Sequence, residues 1–358
     1  MPYKPALDAP YWLALLSASP LNRSLAKRIV HKWCIEENQP LATLFQLPES
    51  ELAHGMSLSE TDAALLRGAE RLAPDQARLL DELAAIDVRM LTRVDVAYPD
   101  AFAERLPEER LPYFLFYRGN TGLLTQPGVA LLGAEDPSPE AQALASAIAL
   151  TLAGDRHHLV GGYGQGVDRL ALETARAAEG RVTMVLPVGI RVFARVLAAL
   201  EGDIGAGRLL VLSPLGPDVT GGEAAARGRL TLVAALADAL VLVEPRLTPS
   251  ELLPDGQLRG VGRGVYVWSG SGDPITQMWQ EAGARPFASA AEAADLVTGL
   301  FGVRPAELDR DGGSIDDLYG VEPIDFDDAD DAIETLGRSG RVPGALARRL
   351  RERDWTDD

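Results

Sequence analysis

The sequence holds a single cysteine, Cys34, among 358 residues. That excludes an internal disulfide framework and a cysteine-cluster metal site, and it fits a reducing compartment. Lysine is nearly missing as well: Lys4, Lys27 and Lys32 are the whole set, and none falls between residues 120 and 304. Positive charge is scarce overall, with 34 Lys+Arg against 52 Asp+Glu, a net charge of −18 and a pI near 4.7. Such a balance speaks against a protein that coats nucleic acid by bulk charge. No uncharged apolar run approaches the ~18 residues of a membrane span. The opening MPYKPALDAPYW has no basic-then-apolar signal pattern, so a cytoplasmic location without membrane contact is expected. Neither G-x-G-x-x-G nor G-x-x-x-x-G-K-[ST] occurs, so no NAD or ATP site and no cofactor is expected. The four histidines (His31, His54, His157, His158) lie in no ligand spacing, and no metal site is expected. No nucleophile, base and orienting acid assemble from the sequence, so an enzyme is not expected.

What is present is apolar content, 47% of residues, and enough length for two or three domains. The acidic excess is uneven. Residues 305–358 hold 16 acids and 7 arginines, so about a seventh of the chain carries half the imbalance. Within them Asp309–Glu334 has 11 acids and one base, Arg310, and a basic stretch from Arg338 to Arg353 follows. An acidic run followed by a basic one suggests a tail of separate function, or simply a solvated, partly disordered end.

The chain reads as three segments. Residues 1–87 form a small all-α domain, with helical apolar spacing in Tyr11–Leu16, Leu25–Trp33, Leu41–Leu47 and Thr61–Leu72. Ser24, Ser59 and Asp75 are candidate helix caps. Residues 88–304 open with short strands at Val88–Leu91 and Tyr113–Tyr117, then alternate strand and helix. The later strands are Val129–Leu132, His158–Val160, Val182–Leu186, Leu209–Leu212, Ala239–Val243 and Val265–Trp268. The pattern predicts a doubly wound α/β fold around a parallel sheet, extended Rossmann-like in class. Residues 305–358 form the acidic-then-basic tail. Ligands of such sheets bind beyond the carboxyl ends of the strands.

Two loops stand in that position. Gly133–Ser138 follows the first strand of the parallel set, and Ser138 can cap the helix that starts at Pro139. Gly161, Gly162, Tyr163, Gly164, Gln165 and Gly166 follow the second strand and lead into a helix carrying Asp168. Glycines there let backbone approach a ligand, and a helix N-terminus behind them offers free N–H groups, so the loop reads as an anion cradle. Tyr163 at the loop tip is a candidate for stacking on a base, or for packing on the loop itself.

The order of these features resembles the DNA-processing protein A (DprA/Smf) family over about residues 10–300. Ala97–Asp100 and Leu115–Asn120 look like its "YP" and "L-f-x-x-G-N" segments. Val129–Gly133 with Ser138 resembles "V-A-I-V-G-x-R-x-x-S", and Gly162–Asp168 resembles the end of "S-G-L-A-x-G-I-D". Arg229–Glu244 aligns without gaps on "R-N-R-I-I-A-G-L-S-D-A-V-L-V-V-E", and Gly262–Gly270 on "G-R-x-V-f-A-V-P-G". The resemblance implies a SAM-like helical domain before the extended Rossmann domain. It also implies single-stranded DNA binding, homodimerisation and loading of a RecA-type recombinase in natural transformation. By position it carries over Ser138, Gly162, Gly164, Gly166, Asp168 and Arg229 as DNA-site residues, and Gly133, Gly161, Tyr163 and Gln165 of the two loops join them as candidates. Charge departs from the family at several places. Glu135 stands where the family has Arg, Gln165 where it has a base, and Leu230 and Thr231 where it has Asn and Arg. Arg118, Arg156, Arg169, Arg227 and Arg229 offer an alternative basic face. The departures keep a second expectation open, a nucleotide-sensing or scaffold protein of the same fold without the DNA pocket. A phosphoribohydrolase is a third, but its P-G-G-x-G-T-x-x-E motif is absent.

Overall fold

The computed structural model describes residues 5–253 and 264–301. The tail 305–358, with its acidic run, lies outside them. The chain forms two compact units, residues 1–98 with 108–118, and residues 99–107 with 119–358. The sequence reading separates the helical part at 87/88. The contacts instead interleave the units along the chain, because the strand Arg89–Thr92 packs on α1 (Pro5–Leu13) and α6 (Ala73–Ala85) and pairs with the strand Phe114–Gly119.

In the first unit the helices are α1 (Pro5–Leu13), α2 (Arg23–Val30), α3 (Leu41–Leu44), α4 (Glu49–Gly55), α5 (Glu60–Glu70) and α6 (Ala73–Ala85). The strands β1 (Arg89–Thr92) and β2 (Phe114–Gly119) pair antiparallel, Arg89 opposite Tyr117. Trp12, Leu13, Ile29, Leu41, Leu44 and Leu52 are fully buried and form the core. The buried carboxylate of Asp8 accepts from Leu41 N (2.6 Å), Ala42 N (2.7 Å) and Trp12 Nε1 (3.1 Å), so it holds the α3 N-terminus. Of the expected caps, Ser59 accepts from Asp62 N at 3.1 Å. Ser24 lies inside α2, which is capped by Asn22, and Asp75 sits in the first turn of α6.

The second unit is a seven-stranded sheet, every pair parallel, in the order β6-β5-β4-β3-β7-β8-β9. Its strands are β3 (Gly128–Gly133), β4 (His158–Gly161), β5 (Arg181–Val185), β6 (Leu209–Ser213), β7 (Ala239–Val243), β8 (Gly264–Trp268) and β9 (Arg285–Phe287). All five residues of β6 and of β7 are buried, as continuous Leu/Val runs require when a sheet is covered on both faces. The helices are α7 (Asp100–Arg105), α8 (Pro139–Gly154), α9 (Val167–Ala177), α10 (Ala194–Ala199), α11 (Glu201–Gly205), α12 (Glu223–Leu236), α13 (Pro249–Leu252), α14 (Pro274–Glu281) and α15 (Ala290–Phe301). From β3 the chain winds one way through β4 and β5 to β6, then returns across the sheet to β7 and continues the other way. Right-handed crossovers therefore put α8 and α9 on one face and α12 on the other, the doubly wound fold expected. The sequence does not announce β9, because its three residues, Arg-Pro-Phe, carry no strand pattern.

Asp238 ties the entrance of this sheet together. Its Oδ2 accepts from Gly128 N at 3.0 Å and its Oδ1 pairs with Arg105 Nη2 at 2.7 Å, while Arg105 Nη1 donates to Ala235 O and Ala237 O. No described helix is long and apolar enough to cross a membrane.

Candidate ligand cavity at the carboxyl ends of the strands

The winding direction reverses between β3 and β7, and a cavity of about 730 Å³ opens beyond their carboxyl ends. That volume lies within the ~300–1,000 Å³ usual for small-ligand sites. Leu132, Val188, Leu242, Leu252 and Trp279 back its wall, each 5% exposed or less. Its charged lining comprises Glu135, Asp136, Asp168 and Glu223 against Arg227, Arg229 and Arg246.

Arg229 projects from α12 and is only 8% exposed. It lies along the glycine loop. A Cβ built on Gly162 would stand 2.4 Å from Arg229 Nε, and one on Gly164 would stand 2.6 Å from its Nη2. The buried Nε has no hydrogen-bond partner among the described residues. Burial lowers the Arg229 pKa, opposed by the charges of Asp168 and Glu135.

Asp168 sits in the first turn of α9 and turns back into the loop. Its carboxylate accepts from Gly162 N (3.0 and 3.1 Å) and Gly164 N (2.9 Å). Burial pushes its pKa up, and the Arg229 charge and the two N–H donors oppose that rise. The anion cradle expected from the glycine spacing is thus corrected. Two of its N–H groups already serve the chain's own carboxylate, so they are not offered to a ligand. Gly166, at φ +70°, closes the loop where an ideal Cβ would meet Ala134 O at 2.0 Å, and Val167 N donates to Ala134 O. The two loops are fastened to each other at that point.

The other loop is closed in a similar way. Ser138 Oγ accepts from Ala141 N at 3.1 Å as the N-cap of α8, and Ser138 N donates to Glu244 Oε2 at 3.1 Å. Glu244 directly follows β7 and holds φ +49°, a left-handed conformation that a non-glycine residue keeps only where its surroundings fix it.

Of the ten residues singled out from the sequence, Gly133, Gly164, Gln165, Asp168 and Arg229 line the cavity. Gly161, Gly162, Gly166 and Ser138 shape its walls from behind. Tyr163 takes the packing alternative and not the stacking one. It is 2% exposed, its ring meets the edge of Phe193 at 5.7 Å, and the Arg169 guanidinium lies 5.0 Å from the ring centroid. A base has no access to either face. Of the alternative basic face, Arg227 and Arg229 line the cavity, whereas Arg156 precedes β4, at the amino end of the sheet away from it. Sequence reasoning missed Arg246, Trp279 and Leu252. They are far from the glycine loops in sequence and carry no motif; only the return crossover brings them there.

The profile of the DNA recombination-mediator protein A family matches residues 89–294. DNA processing protein DprA of Streptococcus pneumoniae is 28% identical over 163 residues, which is 45% of this chain and 56% of that protein. The chain thus matches little more than half the length of this curated relative. The X-ray structure of Streptococcus pneumoniae DprA superposes with a TM-score of 0.59 at 20% identity, over 80% of this chain and 97% of that one. The Helicobacter pylori DNA processing protein A, described for its single-stranded DNA binding mode, gives 0.47 at 21% identity over 59% and 96%. With the family profile spanning more than half of the sequence and the sheet, loops and cavity in the order described, the chain belongs to the DNA recombination-mediator protein A family.

Proposed function

We propose that this chain binds single-stranded DNA at the cavity beyond β3 and β7. In this reading it acts as a homodimeric recombination mediator that hands the strand to a RecA-type recombinase. The observation that supports DNA binding here is the Arg229 guanidinium, seated on the glycine loop by Gly162 and Gly164 and lining a cavity at the switch point of the sheet. A fixed cation lining a cavity of small-ligand size suits a ligand that presents acceptor atoms, as a nucleotide does. Family membership supports the mediator role.

The test is fluorescence anisotropy of a labelled oligo-dT with the full chain at low and moderate salt. Binding at low salt, weakened about tenfold or more by Arg246→Glu at the exposed rim, is the expected result; the size follows from reversing one strand contact. Arg229→Gln should weaken binding as well, with circular dichroism confirming that the fold survives. Absence of binding at low salt would refute the reading.

A second reading, a sensor of a small nucleotide-like ligand, is favoured by Glu135 standing in the cavity lining, since a carboxylate accepts from hydroxyl groups and repels a phosphate chain. A mononucleoside that binds while oligo-dT does not would select it.

A further inference from the structure

Away from the cavity, the cations of the helical unit collect on one helix. Residues 9–35 contain no acid, in a chain with 52 of them, but they contain Arg23, Lys27, Arg28 and Lys32. Two of the three lysines thus lie on α2 and on the turn His31–Glu36 that extends it. Both are engaged within the unit. Lys27 Nζ donates to Glu109 O (3.0 Å) and Leu111 O (2.9 Å), and Lys32 Nζ donates to Gly55 O. The arginines are not. Arg23 and Arg28 are exposed, and so is Arg110, which sits between the two carbonyls that Lys27 holds. None of these three side chains forms an ion pair or hydrogen bond among the described residues.

The charges are close enough to repel. The Lys27 pKa lies below its ordinary value, first through burial and next through the Arg23 charge; Arg93 acts the same way, against Glu108 and Glu109. Five cations (Arg23, Lys27, Arg28, Arg93 and Arg110) therefore stand with two carboxylates. One of these, Glu108, is already taken. It pairs with Arg93 Nη1 at 2.6 Å, accepts from Tyr113 OH and lies 3.3 Å from His31 Nδ1. Glu36 and Glu37 come only at the far end of the turn, where Glu36 lies 3.4 Å from His31 Nε2. The helix N-terminus takes no part, because Asn22 Oδ1 accepts from Ser24 N and Leu25 N. No large apolar side chain of α2 is exposed beside the arginines. The patch offers charge without the apolar core of a protein–protein interface, and that suits a chain of phosphates.

From this we infer that the exposed side of α2, with Arg23, Arg28 and Arg110, is a nucleic-acid surface separate from the cavity, holding the phosphate backbone of a single strand. Arg23 and Arg28 lie about 7.5 Å apart along the helix axis, so each takes its own phosphate. Guanidinium suits the role, since its planar fork donates to two phosphate oxygens at once and keeps its charge. Contacts of this kind position a strand without reading its bases. A bound phosphate also relieves the repulsion among Arg23, Lys27 and Arg93. The surface belongs to the helical unit and uses none of the loops beyond β3 and β7.

The experiment measures anisotropy of a labelled oligo-dT with the full chain over a salt series, for wild type and for Arg23→Gln/Arg28→Gln. Losing two phosphate contacts should make the dependence of log K on log salt shallower by about 1.4 and weaken binding about tenfold or more. Both side chains are exposed and unpaired, so the urea midpoint should stay where it is. Arg78→Gln/Arg89→Gln is the control. It removes the same charge from the same unit, from arginines that already pair with Asp75 and Asp87, and should leave the slope unchanged. An equal effect of the two double variants means that only bulk charge matters, and overturns the inference. An unchanged slope in Arg23→Gln/Arg28→Gln overturns it too; that is the result expected if the surface serves an acidic protein instead. Arg246→Glu separates this surface from the cavity. If it weakens binding and the α2 variant does not, the cavity reading stands and the inference falls. If only the α2 variant weakens binding, the inference stands and the cavity reading falls. No binding of wild type at low salt overturns both.

Discussion

Arg229 and Gly162 are in contact that leaves no room for a side chain: a Cβ on Gly162 would come within 2.4 Å of Nε and 2.5 Å of Cδ of the arginine. The glycines of this loop therefore act through what lies on them. Their open faces form the bed of a buried guanidinium, and their N–H groups hold Asp168 from the other direction. The loop, the acid and the arginine make one unit.

Replacing Gly162 with alanine should thus displace Arg229 or the loop, at a cost of about 1–3 kcal/mol in unfolding free energy. Gly228→Ala is the matched control. That glycine lies exposed in α12, and a Cβ there meets nothing within 4 Å. It should stabilise by about 0.5–1 kcal/mol through helix propensity alone. Urea midpoints that move in the same direction for both variants would show that the contact with Arg229 is not what matters at Gly162.

Arg105→Ala tests the fastening at the other end of the sheet. The pair with Asp238 is largely enclosed, with side chains 13% and 16% exposed, and the arginine also satisfies Ala235 O and Ala237 O. Its removal leaves a carboxylate and two carbonyls without their donor, and should cost about 2–4 kcal/mol. Arg105→Lys should recover little, because one ammonium group cannot reach three acceptors set apart in this way. Chemical denaturation of the three proteins checks both statements; a near-neutral alanine variant would refute them.

Much of this was legible in the sequence, and the boundary has physical reasons. The six central strands show themselves because a parallel sheet covered on both faces demands continuous apolar runs, such as Ala239–Val243. Ser138 and Ser59 read correctly as caps because capping is a local interaction. The fate of the glycine-loop N–H groups was not legible. Whether they face a ligand or Asp168 depends on the rotamer of one side chain six residues on. Tyr163 could be read either as a stacking platform or as packed on its loop, and what decides for packing, Phe193, lies thirty residues away. Arg246 and Trp279 enter the cavity only through long-range topology, which periodicity does not record.

Cys34 supplies a probe of the helical unit. It is 3% exposed, and burial, reinforced by the charge of Asp8, drives its thiol far above the ordinary range. A thiol reagent requires thiolate and access, and the native protein offers neither. Ellman's reagent should report no reactive thiol in the native chain at pH 8 and one after denaturation. As the sole cysteine, it then times the opening of this unit without mutation. Rapid native labelling would contradict the packing around α2.

His158 should make the second unit acid-sensitive. It is 3% exposed on β4, its Nε2 lies 2.8 Å from Thr183 Oγ1, and burial lowers its pKa from 6.5 to about 4. Above pH 6.5 neither the folded nor the unfolded chain carries a proton there, and the full stability is present. Between pH 6.5 and 4 the unfolded chain binds a proton and the folded one does not, so stability falls as pH falls. Below pH 4 both forms bind it and the loss levels off, at about 3 kcal/mol for a shift of this size. His157 is shifted in the same direction by its own burial and adds to the trend. Carboxylates titrate alike in wild type and in His158→Gln, so the difference between the two isolates this residue. Urea unfolding at pH 7 and pH 5 should show the wild type losing more stability than the variant over that interval. Equal losses would mean that the imidazole on β4 is protonated in the folded protein, against the apolar packing that surrounds it.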